Sequence, residues 1–323
     1  MPVSHSNEEP DMKRICILML LLSFLLSGCV TATPSGTEGN LDITPDTSAP
    51  LSTEAPIVQP FSGWKTENGN TCYIKEDGSR HTGWLEVDGI RYYLKSDGYI
   101  QTGWLEQDGK QYYLKEDGSV TRGKAVIDGK TYYFTSKGVQ TIVVNPWNTV
   151  PSDYNPQLVA VGKKHKVDSS CYPALMQMLN ACRAAGYDPA ICSSFREPEL
   201  QVELYNNKVE YFLNKGYGLD QAKTEAGKIV ARPGTSEHEL GLALDLVDNG
   251  HWDLDESQEK TPAQKWLMEH CWEYGFILRY PNGKSEHTGI IYEPWHYRYV
   301  GVELSMELKD SGMCLEEYFA SLS

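Results

Sequence analysis

Between Phe61 and Thr141 the sequence returns on itself every 20 residues, and this period decides what the stretch can become. Gly63-Trp64, Gly83-Trp84 and Gly103-Trp104 open successive units, and Gly123-Lys124 keeps the phase without the tryptophan. Tyr73, Tyr92-Tyr93, Tyr112-Tyr113 and Tyr132-Tyr133 share the interval, as do Gly78, Gly98, Gly118 and Gly138. Asp88-Gly89, Asp108-Gly109 and Asp128-Gly129 supply two-residue turns. Each unit therefore reads as one β-hairpin carrying aromatic residues. A lone hairpin is marginal in water, so neighbouring units must stack to bury those rings. The expectation over 61–141 is a β-hairpin repeat solenoid.

The units resemble the cell-wall-binding repeats of bacterial surface proteins, of the choline- and glucan-binding kind. The resemblance implies a wall polymer as partner, met by Trp64, Trp84, Trp104, Tyr93 and Tyr113. The choline pattern carries a tryptophan just before the tyrosine pair. Here Arg91, Gln111 and Thr131 hold that place, with Thr71-Cys72 in the first unit. A cage for a quaternary ammonium needs several rings, and one per repeat is missing. The plainer alternative is that every ring is stacking core.

The amino-terminal stretch is of another kind. Lys13 and Arg14 precede an apolar run, Ile15 to Leu26, that is too short to span a bilayer of about 30 Å. It closes on Leu26-Ser27-Gly28-Cys29. That pattern resembles the lipobox of bacterial lipoproteins, in which the cysteine is lipidated, and it implies a signal peptide over 1–29 with Cys29 as the lipid-bearing residue. Residues 30–60 are rich in Thr, Ser and Pro and hold no Lys, Arg or aromatic residue, so they read as a disordered tether. A formal net charge of −15 argues against a nucleic-acid partner, and the lipid would be the sole membrane anchor.

From 144 to 323 the pattern shifts to helices. Ser169 or Ser170 caps a first helix with Ala174, Leu175, Met178, Leu179 and Cys182 on one face, and Gly186 ends it. Pro198 opens a second, Asp220 caps a short third, and Thr261-Pro262 starts a fourth that Gly275 stops. Short strands are expected at Ala190–Ser193, Leu242–Val247, Phe276–Tyr280, Ile290–Tyr292 and Tyr297–Val300. Helices followed by clustered strands indicate an α+β fold, helices packed on a small antiparallel sheet.

The chemistry lies in Ser236-Glu237-His238-Glu239-Leu240-Gly241-Leu242-Ala243-Leu244-Asp245 and in Glu293-Pro294-Trp295-His296. Catalytic zinc takes three protein ligands from histidine and carboxylate and keeps one place open. His238, Asp245 and His296 make that set, for one Zn²⁺ per chain. Asp245 sits on an alternating strand, and Gly241 lets backbones approach closely. Glu293, three residues before His296, is placed to accept a proton from water activated by the metal.

These motifs, with Ser193-Ser194-Phe195-Arg196, Asn145-Pro146-Trp147-Asn148 and Trp295-His296-Tyr297-Arg298, resemble the VanY-type D-alanyl-D-alanine carboxypeptidases. These are zinc peptidases that trim peptidoglycan stem peptides, within a superfamily that also holds hedgehog domains. The resemblance implies Glu293 as general base. It makes Arg196 a catalytic residue that steadies the substrate and the oxyanion, and lines the peptide site with Gln201 and Ser236. The implied protein is extracytoplasmic, tethered to the membrane and associated with the wall. The alternatives are an L,D-carboxypeptidase on tetrapeptide stems, a non-catalytic zinc-stabilised wall-binding protein, and an adhesin. Six cysteines remain besides Cys16 and Cys29. Without a Cys-x-x-Cys they are poor zinc ligands, and a Cys182–Cys192 bridge is one possible pairing.

Overall fold

A computed structural model describes residues 61–322. The apolar run, Cys29 and the Thr/Ser/Pro segment lie outside the described residues. Among the described residues no helix is long and apolar enough to cross a membrane.

The repeats form four hairpins. They are β1 (Gly63–Glu67) with β2 (Asn70–Ile74), β3 (Gly83–Val87) with β4 (Ile90–Leu94), β5 (Gly103–Gln107) with β6 (Lys110–Leu114), and β7 (Gly123–Ile127) with β8 (Lys130–Phe134). A short β9 (Gln140–Thr141) pairs with β8. Asp88, Asp108 and Asp128 have φ of 51–53° with a positive-φ glycine behind each, the geometry of the expected two-residue turns. Asn68-Gly69 makes the same turn in the first unit. Successive units are stitched by backbone bonds, Ile100 N to Thr71 O and Val120 N to Arg91 O, each 2.8 Å. Rings stack across the same joints. Trp64 lies 4.7 Å from Tyr92, Trp84 4.7 Å from Tyr112 and Trp104 4.9 Å from Tyr132. Glycine is required where units meet most closely: a Cβ on Gly138 would stand 1.9 Å from Val120 Cγ1.

After the repeats comes a hairpin that the sequence pattern did not predict, β10 (Leu158–Val161) and β11 (His165–Asp168). It leads into α1 (Tyr172–Ala184), β12 (Pro189–Ser193), α2 (Pro198–Asn214) and α3 (Leu219–Ile229). Then come β13 (Ala243–Asp248), α4 (Pro262–His270), β14 (Phe276–Leu278), α5 (Ser285–Thr288), β15 (His296–Tyr299), α6 (Val302–Ser311) and α7 (Leu315–Ser321). The last repeat hairpin packs on the end of the chain. Tyr133 and Val143 share a core with Leu304, Leu308, Leu315 and Phe319. Ser136 N donates to Tyr318 Oη at 2.9 Å, and its hydroxyl meets Glu307 at 2.9 Å. The repeat block thus rests on the C-terminal helices.

β12, β13, β15 and β14 form one antiparallel sheet in that order. Leu244 and Tyr297, paired across the central strands, face a core made with Leu175, Met178, Leu179 and Leu267 from α1 and α4. The adjacent pair, Asp245 and His296, must face the other way, because side chains alternate along a strand. β13 is buried on both faces, so the polar-out alternation expected of it is absent; a cleft covers its second face.

Several local expectations are corrected. Cys171, not Ser169 or Ser170, is the N-cap of α1, because Asp168 takes both the Ser170 amide (2.9 Å) and its hydroxyl (2.6 Å). Gly218 precedes α3, and Asp220 lies within its first turn. Thr261 caps α4 as expected, accepting from Gln264 N at 3.3 Å. Ile290–Tyr292 is loop, not strand. Cys182 and Cys192 are free, as are the other four described cysteines.

Candidate active site

The cross-strand pairing brings the first two residues of the site together: Asp245 and His296 are direct partners on β13 and β15. His238 comes from a 3₁₀ turn, Glu237–Leu240, that ends at Gly241 with φ 71°. Only glycine suits that place. A Cβ there would lie 3.0 Å from Asp168 N, in a backbone conformation side chains avoid. The turn folds His238 back over the sheet, where its Nε2 lies 3.3 Å from Asp245 Oδ1. His296 Nδ1 is 3.1 Å from the same oxygen. One ligand atom from each of the three residues falls within 4.8 Å of the others, and all three side chains are buried.

The surroundings set the state of each group. His238 Nδ1 is 2.8 Å from Ser194 O, which holds the proton on Nδ1 and turns the Nε2 lone pair inward. Burial and Arg196 push the His238 pKa down to about 4, so the ring is neutral. Burial opposes ionisation of Asp245, but His238, His296 and Arg196 hold its carboxyl well below the usual range. Burial also opposes a charge on His296, yet Asp245 and Glu237 lift it to about 9. Two buried imidazoles and a buried carboxylate converging on one point are a donor set that suits zinc.

Glu293 reaches the site from the loop before β15, its Oε2 3.7 Å from His296 Nδ1. Burial, more than any neighbour, raises its pKa to about 8. Arg196 follows β12 directly. Its Nη2 donates to Asp245 Oδ2 at 2.9 Å, its Nε to Ser193 Oγ at 3.1 Å, and its Nη1 lies 3.4 Å from Gln201 Oε1. A cleft of about 300 Å³ is lined by Arg196, Ser236, His238, Asp245, Glu293 and His296. Gln201 is placed otherwise. It is fully buried behind Arg196, bonded to Ala231 O at 2.7 Å, and so positions the arginine instead of lining the cleft.

Sequence reasoning passed over Glu237. Its Oε1 accepts from buried Arg279 (2.8 Å) and buried Arg298 (2.9 Å). Burial alone would raise its pKa, but the two guanidinium groups hold it well below the usual range. Its Oε2 and His296 Nε2 have no hydrogen-bond partner and stand 3.6 Å apart, a carboxylate facing the outer nitrogen of the ring. Tyr280 was missed too; its ring lies 4.7 Å from that of His296. His165 reaches Ser194 Oγ at 3.2 Å behind the site, and His287 pairs with Glu317 at 3.3 Å.

Comparison with known proteins agrees with this geometry. Residues 164–302 match the family model VanY, described as D-alanyl-D-alanine carboxypeptidase, and residues 81–124 match the choline-binding repeat. The chain is 41% identical over 177 residues to a D-alanyl-D-alanine carboxypeptidase of Enterococcus faecalis (strain ATCC 700802 / V583). That match spans 55% of this chain and 64% of the relative, less than two thirds of its length. The chain is also similar to a crystal structure of a mutant vancomycin-resistance D,D-pentapeptidase VanY in complex with Zn(II), at 41% identity and TM-score 0.50, covering 55% of this chain and 97% of the other. VanYB in complex with D-alanine-D-alanine matches at 41% identity and TM-score 0.52, covering 55% and 96%. With 41% identity across nearly the whole of those two chains, this protein belongs to the VanY family of D-alanyl-D-alanine carboxypeptidases.

Proposed function

We propose that the chain is a zinc carboxypeptidase that removes the C-terminal D-alanine from peptidoglycan stem peptides. The observation that carries the reading is the convergence of His238, Asp245 and His296 beside a buried carboxylate and a fixed guanidinium. His238 Nε2, Asp245 and His296 Nδ1 would hold one zinc per chain. A zinc ion held there would supply Lewis acidity toward the attacking water and a positive charge that counters the burial raising Glu293. Glu293 takes a proton from the attacking water and returns it to the leaving amine nitrogen. Arg196, fixed by Ser193, Gln201 and Asp245, keeps a planar cationic fork at the cleft wall for the terminal carboxylate or the oxyanion. Ser236 lines the same cleft and borders the peptide. The complex of the related VanYB with D-alanine-D-alanine supports this substrate class.

In this reading residues 61–141 form a short solenoid that holds the enzyme to a wall polymer through Trp64, Trp84, Trp104, Tyr93 and Tyr113. The rings also pack on one another, so binding uses the faces that stacking leaves open. The protein acts outside the cytoplasm, anchored by lipid on Cys29. Labelled fatty acid entering the wild-type protein, but not Cys29→Ser, is the expected result; label in both would remove the anchor from the proposal.

Mass spectrometry of defined stem peptides tests the activity. The zinc-loaded protein is expected to shorten a D-Ala-D-Ala-terminated pentapeptide by one alanine and to leave a tetrapeptide stem largely intact. Preferential cutting of the tetrapeptide would make it an L,D-carboxypeptidase. Inertness toward both would leave a binding protein.

A further inference from the structure

A second and larger cleft, of about 710 Å³, lies away from the cluster of titratable groups. Trp104 and Tyr132 of the repeats form one side of it, and Trp147 with the chain after it forms the other. Trp147 is 65% exposed and Trp104 38%. Large indoles left in water are informative, because burying such a ring is strongly favourable.

Trp147 is not a loose side chain on a loose loop. Asn145, 3% exposed, accepts from Trp147 N at 3.0 Å and from Asn148 Nδ2 at 2.8 Å. The backbones of Asn145 and Asn148 exchange two further bonds of 3.0 Å. Asn145 Nδ2 donates to Glu316, which pairs with fully buried Arg279. The turn is thus tied to the core so that an indole is presented outward. Holding a ring exposed and fixed lowers the cost of ordering it on binding.

The other groups define the ligand. Gln111 and Gln140 bring amides, and Thr131, Thr149 and Ser152 bring hydroxyls. The charges at the rim, Lys130 and Asp153, face each other at 4.0 Å and cancel. A polyanion finds no uncompensated cation here. At the preceding joint Arg91 lays its guanidinium 3.7 Å over Trp84, so that ring face is already met. Its counterpart 20 residues on is Gln111, a neutral amide, which leaves the Trp104 joint open to a ligand. Flat apolar ring faces beside neutral donors and acceptors suit a pyranose, with C–H groups on one face and hydroxyl or acetamido groups at its edge.

The two clefts share a partition. Trp147 Cη2 lies 3.4 Å from a Cβ built on Gly289, and Pro146 Cγ lies 2.7 Å from it. The next two residues, Ile290 and Ile291, line the catalytic cleft. We infer that the cleft between the repeats and the Trp147 turn binds an uncharged stretch of amino-sugar strand, so that a stem peptide branching from that strand enters the neighbouring catalytic cleft. This rests on the carboxypeptidase reading for its second half only; the sugar site stands on its own residues.

The test is titration of the full chain with the tetramer of N-acetylglucosamine, read by tryptophan fluorescence and calorimetry. Saturable binding is expected, weakened about tenfold in Trp147→Ala and largely kept in Trp147→Phe. Equal binding by wild type and Trp147→Ala, or none by wild type, overturns the inference. So does displacement of the tetramer by choline or by a polyol-phosphate polymer at a lower concentration than free sugar requires. A second readout compares KM for stem peptides still attached to glycan with KM for the free pentapeptide. In Trp147→Ala the ratio of the first to the second is expected to rise at least about fivefold, and an unchanged ratio overturns the coupling between the clefts. If neither substrate is cut, the carboxypeptidase reading fails, and the sugar titration alone judges the cleft.

Discussion

Glu293→Gln is expected to lower turnover on a D-Ala-D-Ala-terminated pentapeptide by about 10²–10⁴ while the protein keeps its full complement of zinc. The substitution preserves shape and removes the base. Glu293 lies three residues before His296 and 3.7 Å from its Nδ1, close enough to serve the reacting water yet outside the cluster of three ligand atoms. Its burial gives the proton transfer its leverage. A carboxylate away from water holds a proton more tightly, which is why its pKa is pushed up to about 8. A neutral amide at this place removes a buried ionisable group and leaves no charge unpaired, so the fold is expected to stand. Metal analysis, a thermal scan and a turnover measurement on one sample decide the matter. Active Glu293→Gln protein with zinc intact would refute the role assigned to this residue. Loss of zinc together with activity would instead make Glu293 a fourth ligand.

The features legible in the sequence are those with local causes. The Asp-Gly turns were readable because two successive positions with φ above zero select their residues directly. Thr261-Pro262 was readable because a cap and an N1 proline act within one helical turn. The convergence of His238, Asp245 and His296 was readable because both motifs fall at the two central strands, whose register aligns Asp245 with His296. Ile290–Tyr292 was misread because a short apolar run fits a strand and a buried loop equally well; Ile290 and Tyr292 are buried beside the cleft. Glu237 was overlooked for the opposite reason. A glutamate before a histidine looks like a surface residue, and its partners Arg279 and Arg298 lie 42 and 61 residues away. The cores joined through Tyr133 and Val143 were equally non-local, so a boundary drawn between 141 and 144 by composition cuts through one packed cluster.

His296→Ala is expected to abolish zinc retention and, with it, all measurable hydrolysis. In the proposed site three donors would share the ion, and losing an outer partner of such a site already costs roughly 10–100-fold in affinity. Losing a direct donor removes more. The protein should then lose its metal to a chelator at concentrations the wild type withstands, as read by competition dialysis and metal analysis. Unfolding is the competing explanation, because His296 stands on a central strand with its ring buried. Asp245→Asn separates the two. It keeps the volume and the Ser193 and His296 register, but withdraws the charge that Arg196, His238 and His296 all face. A folded Asp245→Asn protein that has lost zinc assigns the loss to coordination. Zinc undiminished in His296→Ala would mean that the ion sits elsewhere. The pairing of β13 with β15 would then position a substrate carboxylate and not a metal, with His296 and Arg196 as its cationic partners.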